Sequence, residues 1–174
     1  MKLVHRGAQY DVSHLAARVV AMEAWTHADK QPLNVEVEIR YSCHCNTVGS
    51  HDAPPAGAWH LREPREWRIF DEQRHALSAH IPDIIETLVR HPTKQIQQVS
   101  GRNNFRIFRV GLDGVRPGER YYVFLKLTRS SRIGSGGFHQ IRLSVESAYP
   151  RHNIVAGKWR PPFGTAVAEV LGLR

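Results

Sequence analysis

Residues 139–150, "HQIRLSVESAYP", alternate in the way that is typical of a half-buried β-strand. Three aliphatic residues alternate with three polar ones: Ile141, Leu143 and Val145 against Arg142, Ser144 and Glu146. Successive side chains of a strand point to opposite faces of a sheet, so the aliphatic set predicts a covering layer and the polar set an open surface. Ser147 and Tyr149 continue the inward register of the aliphatic set, and Pro150 ends the run.

Strand patterns also occupy the segments that precede this strand. They lie at residues 94–100, 104–110 and 120–127, and turns rich in glycine separate the last three strands of the chain. The segment 71–92 instead has apolar residues at helical spacing, and Pro82 predicts either a kink or a second helix that begins there. We therefore expect an α+β fold, with a helix packed on an antiparallel four-stranded sheet.

The N-terminal part has a different pattern. Residues 11–28 are predicted as an amphipathic helix with Ser13 as N-cap, residues 33–43 as a strand, and residues 46–64 as a long loop. We accordingly expect a helix–strand extension with its loop over residues 1–65, followed by the helix-plus-sheet core over residues 66–174. A short strand or helix is expected in the tail that follows Pro150.

Composition and length indicate a globular protein of one domain. The chain has 174 residues, 41% of them hydrophobic and 23% charged, which is ordinary for a folded domain. No apolar run approaches the roughly 18 residues that a membrane span needs, and the N-terminus lacks the apolar core of a signal peptide. We therefore expect a cytoplasmic location.

The two cysteines, Cys43 and Cys45, flank His44. A disulfide between residues two apart would be strained, so we expect two reduced thiols that close a strand. The three side chains are potential zinc ligands, but no second Cys/His pair follows at finger-like spacing. His51 and His60 would complete a site only if the fold brought them there, and no metal or other cofactor is expected.

Positive charge is concentrated in the C-terminal two-thirds of the chain. Residues 1–61 hold 5 Lys/Arg and 6 Asp/Glu, a balance of −1, whereas residues 62–174 hold 19 and 10, a balance of +9; the two sum to the net charge of +8. Such an asymmetry favours a polyanionic partner, most commonly nucleic acid. A basic protein with no nucleic-acid role is the alternative.

Several short motifs resemble the barnase–colicin–RelE-like (BECR) nuclease superfamily, in particular toxin domains of phages and mobile elements. Arg74-His75, His80 and Pro82 resemble the helix that opens these domains, "YYVFLKL" resembles their middle strand, and Ser147-Ala148-Tyr149-Pro150 resembles the end of their last strand. The resemblance covers residues 71–150. Residues 1–60 have no counterpart in it.

This resemblance implies metal-independent RNA cleavage, in which a ribose 2′-OH attacks the adjacent phosphorus and leaves a 2′,3′-cyclic phosphate. The chemistry needs a base, an acid and cationic groups around the phosphorane. The candidate catalytic residues are His75, His80, Arg142, Glu146, Ser147 and Tyr149. Each has a structural alternative: Glu146 as a paired surface carboxylate, the two histidines as surface or packing groups, and Tyr149 as a core aromatic whose hydroxyl is hydrogen-bonded.

Five arginines are candidate nucleic-acid contacts: Arg102, Arg106, Arg109, Arg129 and Arg132. Aromatic residues interleave with them, which suits single-stranded RNA whose bases stack on rings, although aromatic residues in alternating strands are also ordinary core. The glycine-rich segment 129–137 lacks the Lys-Ser/Thr ending of a nucleotide-binding P-loop.

We therefore expect an RNA-binding protein, and in its catalytic form an endoribonuclease of toxin type with an acidic antitoxin or immunity protein as partner. The alternative is a non-catalytic accessory or interaction module of a mobile element that has a basic nucleic-acid-binding surface. DNA is a further possible target of the same basic residues.

Overall fold

The computed structural model describes residues 1–25, 32–99, 105–130, 139–152 and 160–173. Within them the strands are β1 (Lys2–His5), β2 (Ala8–Asp11), β3 (Arg18–Trp25), β4 (Pro32–Tyr41), β5 (Thr47–Ser50), β6 (His60–Arg62), β7 (Trp67–Phe70), β8 (Gln97–Gln98), β9 (Phe105–Val110), β10 (Arg120–Arg129) and β11 (His139–Arg151). The helices are α1 (Glu72–Ser78), α2 (Ile81–Arg90) and α3 (Phe163–Leu171), and 3-10 turns lie at Ser13–Leu15 and Cys43–Cys45.

A six-stranded mixed sheet forms the centre of the molecule, in the order β3-β4-β11-β10-β9-β8. Its strands pair antiparallel except β4 and β11, which run parallel. A three-stranded sheet, β5-β7-β6, and a hairpin, β1-β2, lie outside it. The expected helix on a four-stranded antiparallel sheet is therefore wrong, because residues assigned to an N-terminal extension supply two strands of the central sheet.

The predicted helix at 11–28 is the local reason for that error. Its described part is a 3-10 turn followed by β3, in which Val20 and Met22 are buried while Val19 is 57% exposed. Leu15, Val19 and Met22 have helical spacing, whereas Val20 and Met22 have the spacing of a strand, and antiparallel pairing with β4 selects the strand.

Four of the other predicted strands are confirmed, and two further expectations are only partly met. The segments 33–43, 104–110, 120–127 and 139–147 contain strands β4, β9, β10 and β11. The segment 94–100 keeps only the two residues of β8, and the predicted loop 46–64 contains the short strands β5 and β6.

Two helices are found between residues 71 and 92, and Pro82 lies in the first turn of the second. Proline is tolerated there because the first helical N–H groups have no intrahelical acceptor. Asp71 caps α1: its carboxylate accepts a hydrogen bond of 2.7 Å from the backbone N–H of Arg74. The tail expected to form a strand or a helix forms α3.

The main hydrophobic core lies between the central sheet and helices α2 and α3. Ile81, Ile85 and Leu88 of α2 and Phe163 of α3 are fully buried in it, together with the aliphatic residues of the strands. None of the described helices is long and apolar enough to cross a membrane. Since the helices cover one face, the other face of the sheet carries the polar residues of β4 and β11.

Candidate functional site

The two faces of β11 exchange places at a β-bulge. Before the bulge Val145 is buried and pairs with Leu125, and after it Ala148 is buried and pairs with Val123. The register shifts by one residue between Phe124 and Leu125, so that the partner strand skips Glu146. Ser147 and Tyr149 consequently lie on the open face, not on the inward face that the alternation had predicted.

Arg142 points to the open face, where a carboxylate of the neighbouring strand holds it. Its Nε donates a hydrogen bond of 3.0 Å to Glu38 Oε2, and 39% of its side chain is exposed. Arg40 donates to the other oxygen of the same carboxylate, at 2.6 and 2.8 Å. Hydrogen bonds from Arg40 and then Arg142 hold the pKa of Glu38 below its usual value. Arg142 therefore shares one carboxylate of the N-terminal part of the chain with Arg40.

His75 lies in a different environment. Its ring contacts the rings of Tyr10, Phe70 and His14 at centroid distances of 5.3–5.5 Å. Its Nδ1 is buried and has no hydrogen-bond partner among the described residues, and burial lowers the pKa of the imidazole. His80 is exposed at the start of α2.

The predicted catalytic residues do not converge on one point. Arg142 and Tyr149 are seven residues apart on one strand, which corresponds to about 20 Å, and Glu146 lies between them. One phosphate cannot contact both ends of such a row. The described contacts of His75 are with the N-terminal hairpin, the 3-10 turn that follows it and Phe70, and none of them joins it to Arg142 or Glu146.

Basic side chains gather at the other end of this face, around a small cluster of buried residues formed by Ile107, Tyr122 and Phe124. The strand register places Arg109 opposite Tyr122 and Tyr122 opposite Tyr149, while Arg120 faces Arg151 in the adjacent row. Arg109, Arg120 and Arg151 are exposed, and no contact of the described residues gives any of them an acidic partner. We call the surface formed by Arg109, Arg120, Arg151 and Arg160 the arginine surface.

Arg160 joins this surface through a shallow hollow. Arg109 and Arg160 both line a cavity of about 130 Å³, whose floor includes Ile107 of β9. Both guanidinium groups belong to exposed residues. A hollow of this size between two cations can accommodate a single phosphate group.

Tyr149 lies at the β11 edge of the arginine surface, and its ring has aromatic and cationic neighbours. Phe124 stacks on it at 5.1 Å with an interplanar angle of 21°. The guanidinium groups of Arg74 and Arg151 lie 4.7 and 5.4 Å from the ring centroid. A guanidinium that stacks on an aromatic ring keeps the N–H donors of its edge available for an anion.

The other predicted nucleic-acid contacts lie away from this surface or outside the described residues. Arg106 is 3% exposed and forms an ion pair of 3.3 Å with Glu169 of α3, so it faces the helical layer. Arg102 and Arg132 lie outside the described residues. Arg129 is exposed, but it is at the far end of β10 from Arg120.

A second cluster of chemically competent groups lies just after β4. The 3-10 turn Cys43–Cys45 is capped by Ser42, whose side chain accepts a hydrogen bond from the His44 backbone N–H. His44 Nε2 lies 2.8 Å from Glu63 Oε1, and Cys43 Sγ lies 4.0 Å from the same oxygen. One ligand atom from each of the three residues falls within 4.8 Å of the others.

Of the three adjacent potential ligands, Cys43 and His44 belong to this cluster, and Glu63 rather than Cys45 is the third member. Cys45 is fully buried, its Sγ contacts the Val145 carbonyl oxygen at 3.7 Å, and burial raises its pKa to about 12. His60 is exposed and bonds to the Ala58 carbonyl at 2.8 Å. No sequence rule marks Glu63, because the hairpin of β6 and β7 brings it to the turn from 19 residues away.

Cys43 also lines a cavity of about 310 Å³ between the N-terminal hairpin and the end of β4. Tyr41 and Asn46 line the same cavity. The Tyr41 hydroxyl and Asn46 Oδ1 are buried, and neither has a hydrogen-bond partner within the described part of the chain. Burial, followed by the nearby Glu63 charge, raises the pKa of the Cys43 thiol, which therefore does not act unaided as a thiolate nucleophile at neutral pH.

The sequence profile of the YjaZ family matches residues 2–169. The chain belongs to the YjaZ family. Comparisons with curated proteins and with solved structures give no match. The span matched by the YjaZ profile includes every residue of the arginine surface and of the Cys43–His44–Glu63 cluster.

Proposed function

We propose that this YjaZ-family chain binds RNA through the arginine surface. The observation that carries the proposal is the row Arg109–Tyr122–Tyr149 beside the facing pair Arg120 and Arg151. Exposed cations placed opposite each other repel unless an anion lies between them. The sugar–phosphate backbone of RNA supplies such anions at regular spacing, and the net charge of +8 favours its approach.

Phosphate contacts dominate this mode of binding. Tyr122 is 1% exposed and Phe124 is 8% exposed, so neither ring can stack on a base. Tyr149 already has Phe124 on one side and guanidinium groups near it. We therefore expect affinity that depends strongly on salt and little on base sequence.

A salt titration tests the proposal. Each contact with a single-strand phosphate contributes roughly 0.7 to the slope of log K against log salt, so a variant that loses Arg109, Arg120 and Arg151 should have a slope smaller by about 2. The wild type should then lose about 20-fold more affinity than the variant between roughly 50 and 200 mM salt. Fluorescence anisotropy with a labelled single-stranded RNA measures both slopes, with all three arginines changed to glutamine in the variant.

A matched control removes the same charge elsewhere. Arg40 and Arg90 form ion pairs with Glu38 and Glu86, and the Arg62 guanidinium lies over the Trp67 ring. Changing these three arginines to glutamine lowers the net charge equally and should leave the salt slope within a few tenths of that of the wild type. Equal losses of slope in both triple variants would mean that overall charge, not the arginine surface, holds the RNA. A parallel titration with single-stranded DNA separates an RNA preference from general polyanion binding.

Metal-independent cleavage stays a prediction that rests on the BECR resemblance, as does an acidic antitoxin or immunity protein. The arginine surface supports binding, whereas Arg142 and Tyr149 lie too far apart on β11 to share one phosphate and no described contact joins His75 to Glu146. Incubating labelled RNA with the protein in EDTA tests cleavage, with a 2′,3′-cyclic phosphate as the diagnostic product. Cleavage that survives in both Glu146→Gln and His75→Gln would exclude the roles predicted for these side chains.

A further inference from the structure

The Cys43–His44–Glu63 cluster has the donor chemistry of a transition-metal site. It combines a thiol, an imidazole and a carboxylate, which are the three side-chain types that bind zinc in proteins. Two chain segments supply them, the turn after β4 and the residue after β6. A cluster of surface carboxylates alone would not indicate a transition-metal site. A thiol and an imidazole close to one carboxylate favour soft and borderline metal ions.

The distances suit a tetrahedral ion after small side-chain rotations. Metal–ligand bonds of about 2.0–2.3 Å place tetrahedral ligand atoms roughly 3.3–3.7 Å apart. The observed separations from Glu63 Oε1, 2.8 Å to His44 Nε2 and 4.0 Å to Cys43 Sγ, lie on either side of that range. About 30% of the His44 and Glu63 side chains is exposed, so an ion can reach them and both can adjust.

The backbone that carries the ligands is fixed by hydrogen bonds. Ser42 caps the turn through the His44 N–H, and Thr47 Oγ1 donates to the Cys43 carbonyl at 2.9 Å. The guanidinium of Arg74 donates to the His44 and Thr47 carbonyls at 3.2 and 2.8 Å. The site is therefore largely formed before an ion binds, which lowers the entropic cost of binding.

The adjoining cavity supplies an independent observation. Asn46 is 5% exposed, lines this cavity with Cys43, and its Oδ1 has no hydrogen-bond partner among the described residues. An amide oxygen in that position can accept a hydrogen bond from water or another ligand on a nearby ion. Three protein ligands leave one tetrahedral position open, which is the arrangement of zinc sites that bind exchangeable ligands.

We propose that Cys43, His44 and Glu63 bind one Zn²⁺ ion whose fourth coordination position opens toward the cavity lined by Asn46. The site is separate from the arginine surface, so its failure would leave the RNA-binding proposal untouched. The expected ligand of the fourth position is water or a small anion, because the cavity of about 310 Å³ admits only small molecules.

Cobalt substitution tests this proposal directly. Co²⁺ added to the reduced, chelator-treated full chain should give visible ligand-field bands and a near-ultraviolet sulfur-to-cobalt charge-transfer band. Stoichiometric Zn²⁺ should abolish both. The charge-transfer band should be absent in Cys43→Ser, and His44→Gln and Glu63→Gln should each weaken Co²⁺ binding by at least ~10-fold.

Matched controls use neighbouring residues of the same types. Cys45→Ala removes the buried thiol, His60→Gln an exposed imidazole, and Glu66→Gln a carboxylate that is paired with Arg68. All three should retain the charge-transfer band and near wild-type affinity, with circular dichroism verifying the fold of each variant. If the wild type gives no charge-transfer band with excess Co²⁺, or if the band persists in Cys43→Ser, the proposal is overturned.

A second measurement tests the open position. Azide added to the cobalt form should shift the visible bands in the wild type, because a fourth site accessible from the cavity exchanges its ligand. An unchanged visible spectrum at saturating azide would show that the coordination is closed, and would refute the part of the proposal that concerns the cavity.

Discussion

Replacing Tyr121 by phenylalanine should stabilise the protein. Tyr121 is fully buried on β10, and its hydroxyl has no hydrogen-bond partner among the described residues. Burial raises the pKa of this phenol strongly. An unsatisfied buried hydroxyl destabilises a protein by about 1–3 kcal/mol.

The net effect of the substitution is smaller than that penalty. Removing one oxygen leaves a small void, and the weaker dispersion attraction among the atoms that surround it offsets part of the gain. We therefore expect the free energy of unfolding to rise by about 1 kcal/mol, which for a chain of this size corresponds to a rise of about 2–4 °C in the melting temperature. Urea denaturation followed by circular dichroism measures the change as a shifted midpoint at constant m-value.

Tyr10→Phe is the matched control. The Tyr10 hydroxyl donates to Glu72 Oε1 at 2.9 Å, so its removal deletes a hydrogen bond and should destabilise the fold slightly. The two substitutions remove the same atom and should act with opposite signs. A destabilisation of more than about 1 kcal/mol by Tyr121→Phe would refute the reasoning, because it would show that the hydroxyl makes a bond that stabilises the fold.

Two further predictions concern pH. Burial raises the pKa of Tyr41 from 10.0 to about 12 and that of Cys45 from 9.0 to about 12. The unfolded chain therefore loses these protons first, and the free energy of unfolding should fall as the pH rises from about 9 to 12. Tyrosinate absorbance should show Tyr41 ionising together with unfolding. Burial also lowers the pKa of His14 and His75 below 6.5, so the unfolded chain binds more protons and the melting temperature should fall below about pH 6.5. His14→Gln should reduce this acid slope, and a slope equal to that of the wild type would contradict the prediction.

The strands and the helix break were predictable because their causes are local. Alternation in β11 follows from side chains that point to opposite faces, and Pro82 marks the first turn of α2 because its ring and missing N–H exclude it from a helix interior. The mistaken helix at 11–28 also had a local cause. Val19 and Met22 fit a helical stripe, Val20 and Met22 fit a period of two, and only pairing with β4 decides between the two patterns.

The architecture depends on pairings that local patterns do not encode. Strand β4 lies parallel to β11, with Val37 opposite Ile141, so residues about a hundred positions apart become neighbours. The alternation within each strand shows which of its faces is buried, but it does not show which strand lies beside it in the sheet. The bulge at Glu146 was hidden for a related reason: several polar residues in succession look alike whether or not the register changes among them.

The contacts around Arg74 show why the candidate sites could be recognised only in part. Its guanidinium donates to the carbonyls of His44 and Thr47 and lies over the Tyr149 ring, so one side chain joins the turn that carries Cys43 to the arginine surface. The sequence does display Arg74 and Tyr149, because charged and aromatic side chains are distinctive. Carbonyl acceptors occur at every residue, however, and no residue type marks the two that Arg74 uses. The contact of Arg74 with Tyr149 therefore depends also on the conformation of a turn about a hundred residues earlier, because backbone carbonyls of that turn hold the guanidinium and no residue type identifies them in the sequence.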